Sequence, residues 1–160
     1  LEHHHGPVAL ALTRQNLPTI DREKFPSADL LEKGGYTLAD AQAGPLKVIL
    51  IATGSEVALA LDARAKLEAQ GVGTRVVSMP CVELFTQQPP SYRQEVLPQA
   101  VKARLAIEAG TSFGWREFVG DEGDTVCINR YGASAPAGVV LEKFGFTVDN
   151  VVARATALLK

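Results

Sequence analysis

Lys47-Val48-Ile49-Leu50-Ile51-Ala52-Thr53 is the stretch that decides the fold. It is a continuous apolar run, rich in β-branched residues, with no polar residue between Val48 and Ala52 to face water. A strand of that composition is buried on both faces, the pattern of a parallel sheet covered by helices on either side. Directly after it, Thr53-Gly54-Ser55-Glu56 turns into a helix; Thr53 and Glu56 have capping-box spacing and Ser55 is a competing cap. Val57, Ala60, Leu61, Ala65 and Leu67 form a broad apolar stripe along that helix, with Leu59 opposite it, and Gly71 closes it as a left-handed cap. Residues 74–79 are the next strand, stopped by Pro80. Strand, helix and strand make a βαβ unit, expected to be parallel and right-handed.

The same reading extends in both directions. Upstream, residues 8–13 read as a strand that ends at Arg14, and residues 14–35 are irregular, punctuated by Pro18, Pro26 and Gly34-Gly35. Ser27 is placed to cap a short helical turn through Lys33. Residues 36–38 form a short strand and 40–45 a turn. Downstream come two short helical pieces (82–87 and 91–97), a strand (102–108), a helix (111–119) and a strand (125–129). A further helix has Ser134 as cap and Pro136 in its first turn, and ends at Gly145. Thr147 caps a last helix, on which Val148, Val151, Val152, Ala155 and Leu159 share a face. This order predicts one domain over residues 1–160, a three-layer αβα fold with a mostly parallel sheet of about five strands.

Composition narrows the function. The chain has 160 residues, 46% hydrophobic and 21% charged, enough for a sizeable core and unlike a disordered segment. A net charge of −2 gives no electrostatic case for nucleic acid or a membrane surface. The longest apolar run, Val48 to Ala52, is far too short to cross a bilayer. No signal peptide is visible. The two cysteines, Cys81 and Cys127, lack CxxC spacing and read as reduced thiols of a cytoplasmic protein. Leu1-Glu2-His3-His4-His5 reads as a tag or linker remnant, and the near-immediate start on a strand reads as a piece cut from something longer; no metal site is expected at the histidines.

Four features invite a chemical reading. Thr53-Gly54-Ser55-Glu56 has the strand-to-helix context of a phosphate site. It lacks a glycine fingerprint, however, and Glu56 would oppose a bound phosphate, so a tight structural turn is favoured. Glu108-Ala109-Gly110 ends a strand with a carboxylate that could act as a general base or ribose contact. The favoured role is structural: a helix cap, or a partner for Arg116 or Arg130. Phe113, Trp115, Phe118, Tyr131, Phe144 and Phe146 have acidic neighbours as often as basic ones, which favours core or subunit-contact packing over base stacking. Arg14, at the end of a strand, presents a planar fork of donors suited to a phosphate or carboxylate. No histidine follows His5 and no GxSxG occurs, which argues against a conventional serine or cysteine hydrolase, and no catalytic residue is assigned.

Taken in order, several segments resemble the C-terminal domain of transketolases. They are Thr13-Arg14-Gln15-Asn16-Leu17-Pro18 (the family's "SRQNLP" with Thr for Ser), Gly34-Gly35-Tyr36, Ile51-Ala52-Thr53-Gly54-Ser55-Glu56-Val57 and Val76-Val77-Ser78-Met79-Pro80. They continue with Tyr92-Arg93, Val96-Leu97-Pro98, Glu108-Ala109-Gly110, Tyr131-Gly132-Ala133-Ser134-Ala135-Pro136 and residues 143–152, Lys-Phe-Gly-Phe-Thr-Val-Asp-Asn-Val-Val. The resemblance implies a parent transferase of the pentose phosphate pathway that moves a two-carbon ketol unit from a ketose phosphate to an aldose phosphate. It implies thiamine diphosphate and a divalent metal, Mg or Ca, bound by upstream domains of the same chain, and a homodimer. It gives Arg14 the role of sugar-phosphate contact, and makes the fragment inactive alone. Two other readings remain: a nucleotide- or phosphate-binding α/β module using residues 53–57, and a purely structural assembly domain.

Overall fold

The computed structural model describes residues 6–13 and 15–159. The apolar run becomes β2 (Leu46–Ala52), the middle strand of a five-stranded sheet. Around it stand β1 (Tyr36–Ala39), β3 (Gly73–Ser78), β4 (Arg104–Ile107) and β5 (Asp124–Val126), in the order β1-β3-β2-β4-β5. β2 runs parallel to β3 and β4, and β4 parallel to β5; only β1 is antiparallel to its neighbour. Val48, Ile49, Leu50, Ile51 and Ala52 are all 0% exposed, as two-sided burial requires.

Alternation along β2 divides these residues between two cores. Val48, Leu50 and Ala52 pack under α1 (Glu56–Ala69) and α6 (Val148–Ala157), against Ala60, Ala63, Leu67, Val151 and Ala155. Leu141 of α5 (Ala137–Lys143) joins that face. Ile49 and Ile51 face α2 (Val82–Thr86), α3 (Pro90–Val96) and α4 (Arg116–Val119), against Phe85, Val96, Trp115 and Phe118. The result is the expected three-layer αβα arrangement. At α6, the Thr147 hydroxyl accepts the Asn150 amide, and the Ser27 hydroxyl accepts the Asp29 amide at the 3-10 helix Ala28–Lys33, as both capping patterns predict.

Several local expectations fail for identifiable reasons. Residues 8–13 form no strand: Val8, Leu10 and Leu12 are 62%, 77% and 78% exposed, and among the described residues no strand pairs with them. On α1 the buried stripe includes Ala63, whereas Ala65 is exposed; Leu59, expected opposite the stripe, packs half-buried against the core. The helix predicted over 111–119 is confined to Arg116–Val119, because Gly114 holds a positive φ of 91° just ahead of it. Ser134 does not cap α5; Pro136 occupies the cap position, without a side-chain hydrogen bond.

Polar side chains fix the turns around this frame. Glu68 of α1 accepts the amides of Thr74, Gln42 and Ala43. Burial pushes its carboxyl up, and these amides outweigh the push and leave it below the usual range. Arg75 on β3 holds Asp40 with a two-pronged contact, Nε and Nη2 at 2.9 and 2.8 Å, which lowers the Asp40 carboxyl. Arg154 of α6 holds Asp124 in the same way at 2.8 and 2.6 Å; burial raises the Asp124 carboxyl, but the arginine and the Thr125 amide bring it below normal. Gly34 sits at φ 76°, and a Cβ there would collide with the Cys81 carbonyl and the Phe85 amide.

Gly34→Ala should therefore lower stability by about 2–4 kcal/mol, combining left-handed strain with a clash against backbone that cannot yield; a urea unfolding curve measures it. Asp40 and Asp124 have depressed folded pKa values, so their contribution is complete above the unfolded carboxyl value of about 3.9 and is lost as pH falls through the folded values. The D40N/D124N variant should be less stable than the parent at neutral pH, and the gap should narrow as pH falls through the depressed folded values of the two aspartates; urea midpoints across the acid range test this.

Candidate functional site

The chain leaves β2 toward β3 on one side and later crosses to β4 on the other. The loops after β2 and β4 therefore diverge, and the crevice between their carboxyl ends is where open α/β sheets hold ligands. Here a carboxylate occupies it. Glu56, 7% exposed, accepts the Ala109 amide on Oε2 at 3.2 Å and the Ser55 hydroxyl on Oε1 at 2.5 Å. The capping box does not form; the Glu56 amide bonds the Thr53 carbonyl at 3.2 Å, and Gly54 takes φ 56° to make the turn. A negative side chain at the start of a helix is itself favourable. It also puts an anion where a phosphate would have to sit, so residues 53–57 are a structural turn.

Glu108, at the end of β4, takes neither of the arginines considered from sequence. Its Oε2 accepts the indole Nε1–H of Trp115 at 2.6 Å. Arg116 instead approaches Asp121 at 3.7 Å, and Arg130 lies over the Phe144 ring at 4.7 Å. Glu108 and Trp115 line a cleft of about 690 Å³ together with Met79, Cys81, Glu83 and Phe113. No lysine, arginine or histidine lines it among the described residues, so it offers an anion no charged donor. Burial pushes the Cys127 thiol up, which makes it a poor nucleophile. No group of three His, Cys, Asp or Glu able to hold a metal occurs among the described residues.

The aromatic set splits. Trp115, Phe118 and Phe146 are buried, with Trp115 and Phe118 packed edge-on at 5.9 Å. Phe113 and Tyr131 stand 91% and 97% exposed. The Trp115–Glu108 bond was missed from sequence, although a tryptophan a few residues after a strand-end acid is a natural donor for it. Arg14 and the histidines His3, His4 and His5 lie outside the described residues.

Comparison with known proteins supplies the family. The pattern described as "Transketolase-like TK C-terminal domain" matches residues 34–147. Transketolase from Halalkalibacterium halodurans is 51% identical over 160 residues, covering 100% of this chain and 24% of that protein. Transketolase 1 from Escherichia coli is 50% identical over 159 residues, covering 99% of this chain and 24% of its own. A Pichia stipitis transketolase, solved in complex with sedoheptulose-7-phosphate, superimposes with a TM-score of 0.80 at 38% identity, over 91% of this chain and 20% of that one. The chain spans about a quarter of the length of the curated relatives it matches. With a pattern match over most of its length and half of its residues identical to whole-chain relatives, the chain belongs to the transketolase family, as a C-terminal domain.

Proposed function

We propose that this chain is the C-terminal part of a cytoplasmic, homodimeric transketolase that moves a two-carbon ketol unit from a ketose phosphate to an aldose phosphate. The observation that carries the reading is 51% identity to a transketolase across the whole chain, at only 24% of that protein's length. The described residues do not fit thiamine diphosphate: a carboxylate, Glu56, fills the sheet's switch point, and no cluster suits the metal. The cofactor, which supplies the carbanion chemistry when bound, is held elsewhere in the intact enzyme. Alone, the chain is inactive.

Its own contributions are binding and scaffolding. Arg14 holds the substrate's phosphate, and remote binding of that kind positions the reacting carbons. The complex of the Pichia stipitis transketolase with sedoheptulose-7-phosphate supports a sugar phosphate as the ligand. The exposed apolar side chains Val8, Leu10, Leu12, Phe113 and Tyr131 support contact with the remaining domains or the second subunit. Half-buried free cysteines, Cys81 and Cys127, are in keeping with a reducing compartment.

In the intact enzyme that carries this chain, Arg14→Ala should raise the KM for a phosphorylated donor. Losing a charge-assisted bidentate contact costs roughly 1.5–3 kcal/mol, or about 10- to 150-fold. Steady-state kinetics with a phosphorylated ketose read this directly, and an unchanged KM would remove Arg14 from substrate binding.

A further inference from the structure

Tyr92-Arg93 stands out in the sequence and has no part in the function proposed above. Tyr92 is accounted for: its hydroxyl donates to the Gly35 carbonyl at 3.0 Å and ties α3 to the Gly34-Gly35 turn. Arg93 is not. Its Nε is buried without an acceptor, and its guanidinium forms no hydrogen bond or ion pair among the described residues. A buried N–H of an ion left unpaired is costly and calls for a missing acceptor.

Arg93 lines a cavity of about 270 Å³ between α3 and α4, and a second arginine lines it too. Arg104, at the start of β4, spends its donors on backbone carbonyls: Val101 from Nε, Phe118 from Nη1, and Leu97 and Pro98 from Nη2, at 2.8–3.1 Å. Those bonds lock its position but bring no negative charge, and burial pushes its pKa down. Two arginines thus line one small cavity, and among the described residues no carboxylate is paired to either. The single acid on its wall, Glu117, makes no ion pair with them. It is exposed and free to accept a hydroxyl.

We propose that this cavity binds a small phosphate monoester of a short polyol, with the unbonded terminal nitrogens of Arg93 as donors to the phosphate, Arg104 as a fixed positive charge behind it, and Glu117 as acceptor for a ligand hydroxyl. A guanidinium fork matches a phosphate oxygen pair. The volume lies near the lower end of ligand sites, which limits the ligand to a few carbons. The proposal does not depend on the role given to Arg14.

The test uses the chain labelled with ¹⁵N-arginine, titrated at constant ionic strength with glycerol 3-phosphate, inorganic phosphate and sulfate. The Nε–H resonance of Arg93, assigned by its loss in Arg93→Gln, should shift saturably. Glycerol 3-phosphate should bind about tenfold more tightly than inorganic phosphate, the worth of one hydrogen bond to a charged group. Arg93→Gln should abolish saturable binding and Arg93→Lys should weaken it. Glu117→Gln should bring glycerol 3-phosphate down to the affinity of phosphate; thermal melts establish that each variant is folded. A non-saturating response, binding retained in Arg93→Gln, equal affinity for sulfate and glycerol 3-phosphate, or no effect of Glu117→Gln would each overturn the assignment. So would loss of binding in the intact enzyme, which would mean that another part of the protein closes the cavity.

Discussion

Two-sided burial of β2 is the constraint on which the rest of the molecule depends. A seven-residue strand with five consecutive fully buried residues must have helices above and below it and a strand on each side. Every connection from it then has to cross a face of the sheet, which generates the parallel β2–β3 and β2–β4 pairings. Because β3 and β4 flank β2 on opposite sides, the switch point follows from the same constraint. The position where a ligand would ordinarily bind is thus a product of hydrophobic pattern alone. What fills it is decided separately, by one residue, Glu56.

Several of the domain's partly or fully buried charges serve as ties between segments. Glu56 joins the loop after β2 to the loop after β4, Glu68 gathers the 40–45 turn onto α1, and Arg104 holds the segment leading into β4 together with α4. Glu68 and Arg104 are satisfied by backbone groups alone, and Glu56 by one backbone amide and the hydroxyl of its neighbour Ser55. Glu108 and Trp115 add a side-chain pair at the other end of β4. Against this background Arg93, an arginine with no side-chain partner among the described residues, stands out.

Much of the architecture was legible because periodicity reports burial directly. The run 47–53 located the central strand, and Thr147 located the start of α6 through a local hydrogen bond that needs no tertiary information. Residues 8–13 were misread for the complementary reason. Their apolar composition is that of a strand, but a strand exists only where another offers it hydrogen bonds, and among the described residues none does. Glu56 was read correctly as hostile to phosphate, whereas its bond to Ala109, 53 positions away, is a long-range contact that no local pattern encodes. The same holds for the carbonyls gathered by Arg104. Gly114 shortened the predicted 111–119 helix through a backbone conformation that an apolar pattern does not express.

The sheet is long in the middle and short at its margins: seven residues in β2, four in β1 and three in β5. A margin of three or four residues exposes few free backbone groups for another chain to pair with. A domain organised around so apolar a strand would be prone to edge-to-edge aggregation if that strand lay outermost. By tapering away from it, the fold keeps its stickiest segment out of reach of other molecules and leaves the edges too small to template growth.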